Sequence, residues 1–193
     1  MRWTVFLVAV LLAAALDASL GGIFVVGDAR PRLLPATVVF ALLSMPRRGA
    51  VRAAMLAGLV ADLLAPGVLE QGGSLVVIGP YTLGFALGAL AVVPLRTLLY
   101  RRNPLSGVIA TAMFSLLSSI AVIALWALRA RLLGTTPPWW PATGAGEAWV
   151  RLIGAAGDGV LALPVLWLLE RTKPVWDFAV ATKLAQGAAR EQP

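Results

Sequence analysis

Apolar residues run in six blocks along the chain, Trp3–Val26, Leu33–Met45, Val51–Ala65, Ser74–Leu95, Leu105–Leu128 and Leu152–Leu169, and charged residues gather in the joints between them. No block alternates apolar and polar positions with the period of two that a half-buried strand shows. A run of about 20 apolar residues matches roughly 30 Å of hydrocarbon, and a backbone in lipid must satisfy its own polar groups, which a helix does within one segment. The pattern therefore predicts an all-α polytopic membrane protein with six transmembrane helices.

The joints refine that picture. Blocks two and three hold 13 and 15 residues, or about 20–23 Å at 1.5 Å per residue, so both are expected to be sheltered by neighbouring helices. Between them Met45-Pro46-Arg47-Arg48-Gly49 combines a breaker, two charges and a turn residue, which predicts a tight hairpin. In block four Pro80 follows Gly79; a regular helix is expected to start at Pro80, with Ser74–Gly79 as an irregular lead-in. Pro164 is expected to kink block six. The opening Met1–Ala18 has the outline of a signal peptide, but its apolar run continues through Val26 and its removal leaves an odd number of spans, so it reads as the first helix. Residues 1–171 form one transmembrane domain on this reading. Residues 172–193 form a cytoplasmic amphipathic tail, in which Trp176, Phe178, Val180 and Leu184 lie among Asp177, Lys183 and Gln186 as in a short surface helix.

Composition agrees: of the 193 residues 60% are hydrophobic and 13% charged, against about 45–50% and 25% in a soluble domain. The mean hydropathy is +0.87. With no His and no Cys there is no Ser-His dyad, imidazole or thiolate metal site, or disulfide, so catalysis, a cofactor and a tightly bound metal are not expected. The net charge of +7 would suggest nucleic acid in a soluble protein; here the basic residues flank apolar blocks and report topology instead. With the N-terminus inside and six crossings, the cytoplasmic side holds Arg2, Arg47, Arg48, Arg52, Arg96, Arg101, Arg102, Arg171, Lys173, Lys183 and Arg190. The other side holds Arg30, Arg32, Arg129, Arg131 and Arg151. Eleven against five obeys the positive-inside rule and places both termini in the cytoplasm.

Candidate functional residues begin with three acids at membrane depth, Asp17, Asp62 and Asp158. A carboxylate near the bilayer centre costs on the order of 3 kcal/mol on insertion scales, so each must face protein or water, find a partner, or bind a proton. Asp62 ends a stripe of small residues, Ala50, Ala54 and Gly58, spaced four apart on one helix face that another helix can approach closely. Gly154, Asp158 and Ala162 repeat the arrangement, Ala14, Ala18 and Gly22 line the face beside Asp17, and Gly84 and Gly88 form a GxxxG pair. Helix packing, ligand or ion binding, and partner contact are the three roles open to the acids; under the first, Asp62→Asn is expected to be mild. Arg30 and Arg151 are the bases expected within reach of Asp17 and Asp158. The external Thr135-Thr136-Pro137-Pro138-Trp139-Trp140-Pro141 run is either an interfacial anchor against membrane lipids or a lip for a partner.

Four stretches together resemble the rod-shape-determining protein MreD family: Arg30-Pro31-Arg32-Leu33-Leu34-Pro35; Pro46-Arg47-Arg48-Gly49 followed by Ala57-Gly58-Leu59-Val60-Ala61-Asp62-Leu63-Leu64; Gly79-Pro80-Tyr81-Thr82-Leu83-Gly84 through Gly88; and Asp158 through Pro164 to Arg171. The resemblance covers roughly residues 30–171. It implies a non-catalytic component of the bacterial inner membrane, paired with MreC and linked to the cell-wall synthases and the MreB filament. That family in turn looks like the substrate-binding subunits of energy-coupling-factor vitamin transporters, a six-helix fold, and this similarity implies the alternative function of vitamin uptake. The Pro- and Trp-rich external loop departs from the family pattern.

Overall fold

The computed structural model describes residues 2–20, 22–23, 25–64, 67–68, 74–75, 77–99, 104–133 and 144–176. Their secondary structure is helical: α1 Trp3–Leu20, α2 Leu34–Ser44, α3 Arg47–Leu64, α4 Pro80–Leu99, α5 Pro104–Leu133, α6 Gly144–Arg171 and the single turn α7 Lys173–Trp176. Among the described residues the only strands are β1 Gly67–Val68 and β2 Ser74–Leu75, a two-residue antiparallel pair between α3 and α4.

The first and third helices differ from their expected extents for local reasons. The first helix stops at Leu20, not Val26, where the sequence turns to Gly21-Gly22. The chain then reverses through Gly27 at φ +63°, a left-handed conformation open to glycine, with Val26 and Ala29 exchanging backbone hydrogen bonds of 3.0 and 3.1 Å. The third helix begins at Arg47, because Pro46 ends the preceding segment and its carbonyl already accepts the Ala50 amide at 2.9 Å. With 18 residues, or about 27 Å, α3 is not short. Only α2 is, at 11 residues, about 16 Å.

The lead-in before Pro80 is irregular as expected, while α4 carries Pro94 within it and runs on to Leu99. Helices α5 and α6 exceed their apolar blocks by taking in Arg129 and Arg131 at one end and Glu147 and Arg151 at the other, the last two joined by an i,i+4 ion pair of 2.7 Å. These two helices, over Leu105–Leu132 and Ala145–Arg171, are long and apolar enough to cross a membrane; the apolar parts of α1, α2 and α4 are shorter.

The short α2 sits at the centre. Nine consecutive residues, Leu34–Leu42, are buried, and α1, α3, α4, α5 and α6 all pack against it. Around it α4 lies between α3 and α5, and α5 packs in turn on α6. Small residues set the closest approaches. A Cβ on Gly58 would stand 2.5 Å from the Tyr81 carbonyl oxygen, and one on Gly84 2.9 Å from that of Ser118; Gly88 faces Phe114 and Ser118. Ala50, Ala54, Gly58 and Asp62 are all buried on one face of α3. The α1 stripe does not form: Ala14 is buried, Ala18 is exposed and Gly22 lies in open space beyond the helix.

The interior is mainly apolar but takes in several polar side chains, and large apolar side chains also lie on the exterior. Asp62, Asp158, Thr37, Thr111, Ser115, Ser118 and Ser119 are buried, whereas Leu11, Leu12, Leu87, Ile120, Val160, Trp167 and Leu168 are exposed. An exterior of this kind is consistent with contact with lipid. At the end of the bundle that carries Met45, the Arg96 guanidinium donates to the Met45 carbonyl at 2.7 Å. There too the two ends of the described chain meet, the Arg2 amide donating to the Trp176 carbonyl at 3.1 Å. Trp176 was expected on a surface helix. It is instead buried, its ring 5.0 Å from that of Phe40 and its Nε1–H bonded to Thr172 Oγ1 at 2.9 Å. Residues 177–193 of the expected tail lie outside the described residues.

Candidate functional site

The three acids converge on backbone. Asp62, in the last turn of α3, is 1% exposed. Its Oδ1 accepts the Tyr81 amide at 2.8 Å, and its Oδ2 accepts the Gly79 amide at 2.9 Å, the Thr82 amide at 3.0 Å and the Thr82 hydroxyl at 2.7 Å. Pro80 has no N–H, so the carboxylate gathers the amides on either side of it, at the N-terminus of α4, where unpaired donors and the helix dipole both favour an anion. The N-capping carboxylate comes from another helix.

Asp17 does the same for α2. Its two oxygens accept the amides of Leu33 at 2.6 Å and Leu34 at 3.0 Å, and the N-cap residue of α2, Leu33, has no side chain able to serve. Asp158, midway along α6, accepts the Arg32 amide at 2.5 Å and the Ser115 hydroxyl. The three carboxylates thus anchor the two lead-ins, Arg32–Leu34 and Gly79–Thr82.

A charged cluster sits over these anchors. The half-buried Arg32 guanidinium lies 5.6 Å from the centre of the Tyr81 ring. Burial disfavours its charge, but the Tyr81 phenol and the Asp158 and Asp17 carboxylates outweigh that effect and lift its pKa above the ordinary arginine value. Arg151, paired with Glu147, also acts on the Tyr81 phenol. Arg32, not Arg30, is therefore the base beside Asp17 and Asp158; Arg30 is exposed, and Arg151 serves Glu147 and Tyr81. Arg32, Tyr81, Thr82 and Ser115 were not singled out as site residues in the sequence: Arg32 counted toward topology and, like Tyr81 and Thr82, stood within a family-like stretch without a role of its own, and Ser115 lay inside an apolar block.

Gly58, Gly84 and Gly88 occupy the α3–α4 and α4–α5 contacts beside the cluster. Trp139 and Trp140 lie outside the described residues, and Trp149 is exposed on the first turns of α6. Chemically, the site is a lock. Each carboxylate oxygen accepts at least one hydrogen bond, and among the described residues no three His, Cys, Asp or Glu side chains come together to hold a metal. No family model, curated protein or solved structure matches this chain.

Proposed function

We propose that this chain is a non-catalytic scaffold of the bacterial cell-elongation complex, crossing the inner membrane six times with both termini cytoplasmic and binding MreC through its membrane-embedded faces. The observation that carries the reading is the convergence of the resembling stretches on one another. Asp62 of the Gly-Leu-x-x-Asp-Leu stretch holds the Gly79–Thr82 stretch, and Asp158 of the last stretch holds Arg32 of the first. Residues far apart in the chain that make a family-like pattern are joined here by a shared structural task.

Three further features support it. The carboxylates are committed to backbone amides, which leaves the exposed apolar helix faces as the largest contact area for a partner spanning the same membrane. The Arg2 to Trp176 bond joins the two ends of the described chain at one end of the bundle, as an even number of crossings requires. The eleven-to-five distribution of basic residues orients that end toward the cytoplasm.

The test is depletion in a rod-shaped host together with purification of the tagged protein from its own membrane. Rounded cells and recovery of a single-pass, coiled-coil periplasmic protein are expected. Normal rods with a growth requirement for one vitamin, and recovery of an ATPase pair with a membrane transducer, would replace the scaffold with a vitamin-binding subunit.

A further inference from the structure

On the flank of the bundle away from α1, a groove of about 330 Å³ separates the α4 lead-in from the last turns of α5. Its walls are apolar, built from Val77, Ile78, Leu83, Leu125, Leu128 and Leu132, and Arg129 is the charged residue that lines it among the described residues. The volume falls within the range of about 300–1,000 Å³ typical of small-molecule sites. Ile78 and Leu132 are 63% and 72% exposed, so the groove opens sideways, onto the apolar exterior where lipid would lie on the proposed reading.

Arg129 is the unusual element. Its guanidinium stands 5.7 Å from the centre of the Trp126 ring, and its Nε is buried without a hydrogen-bond partner among the described residues. A buried charged donor left unmatched is costly. Among the described residues no acidic side chain lines the groove, which leaves room for an anionic ligand to supply the complementary charge. The ligand must also present hydrocarbon to six aliphatic side chains. Arg129 lies in the last turns of a spanning helix, the depth at which long basic side chains reach lipid headgroups.

We infer that this groove is a binding site for an anionic phospholipid, with the phosphate at the Arg129 guanidinium and an acyl chain along Leu83, Leu125 and Leu128. The inference needs lipid around the bundle and is independent of the choice between scaffold and vitamin-binding subunit.

The experiment is native mass spectrometry of the full chain in detergent, titrated with phosphatidylglycerol, with phosphatidylcholine and inorganic phosphate as parallel probes. The wild-type protein is expected to retain one phosphatidylglycerol and to prefer it to phosphatidylcholine. Arg129→Gln removes a charge-assisted contact and should weaken retention about tenfold. Leu128→Trp fills the groove from an exposed position and should weaken it with the charge intact, which keeps the test decisive if Arg129→Gln fails to fold. Arg131→Gln, on an exposed neighbour, should change nothing. Equal loss in Arg131→Gln, no loss in either groove variant, or equal retention of phosphatidylcholine would overturn the site. Displacement of the lipid by inorganic phosphate at similar concentration would reduce it to an anion site and overturn the lipid assignment.

Discussion

Asp62 accepts four hydrogen bonds on two oxygens, and that imbalance governs what a substitution does. Asp62→Leu strands three amides and a hydroxyl in an apolar interior, where each unmatched donor costs about 1–3 kcal/mol. Unfolding of the detergent-solubilised variant should show a loss of about 3 kcal/mol or more. Asp62→Asn keeps one accepting oxygen for Gly79 and Thr82 but turns an NH₂ toward the Tyr81 amide, donor against donor. It is expected to lie between the wild type and Asp62→Leu, about 1–2 kcal/mol down, and so to be less mild than hydrogen-bonding capacity alone suggests. Equal stability of all three proteins would remove the capping role. The acids stood out in the sequence because a carboxylate inside an apolar run needs a reason. Their partners did not, since a backbone amide carries no side-chain signature; the Gly79-Pro80 step was the one local cue that donors would be left over nearby. Arg32 was equally hidden, because a base at a segment end serves topology and structure alike.

Between elements, space decides. A methyl group on Gly58 meets the backbone of Tyr81 and Thr82 at 2.5–2.9 Å, whereas one on Gly154 meets nothing within 4 Å. The same substitution should therefore have opposite signs. Gly58→Ala forces α3 and α4 apart and should cost about 1–3 kcal/mol. Gly154→Ala should be neutral or stabilise by up to about 1 kcal/mol, since alanine is the better helix former. Thermal unfolding of the two variants side by side checks this, and an equal response would sever the link between close approach and stability. The small-residue stripe on α3 was legible because a spacing of four places its members on one face. The α1 stripe had the same spacing and failed, because nothing in a spacing says whether a partner helix is there. Helix ends were read short at α5 and α6 for a related reason: apolarity marks the part of a helix that lipid touches, and the charged turns beyond it are still helix.

At the level of the whole molecule, the six longer helices among the described residues match the six apolar blocks in number and order, so that much was legible in the hydrophobic pattern. The burial of the short α2 followed from its length. The chain's lack of cysteine makes the proposed topology directly measurable. Asp28→Cys, in the exposed turn after α1, should react with an impermeant maleimide added to intact cells, and Arg47→Cys, exposed at the start of α3, should react only after lysis. The opposite pattern would invert the orientation, and labelling of both would break the six-span reading. The central position of α2 also bears on how the protein is made. Its N-terminal anchors are Asp17, already synthesised when α2 emerges, and Asp158, which hydrogen-bonds Arg32 from 126 residues further along the chain. A segment of about 16 Å cannot by itself bridge a bilayer, so on the proposed six-span reading α2 would enter the membrane as an incomplete span. Its two N-terminal anchors are both in place only once α6 has been made, which would defer the seating of the second helix until long after its own synthesis.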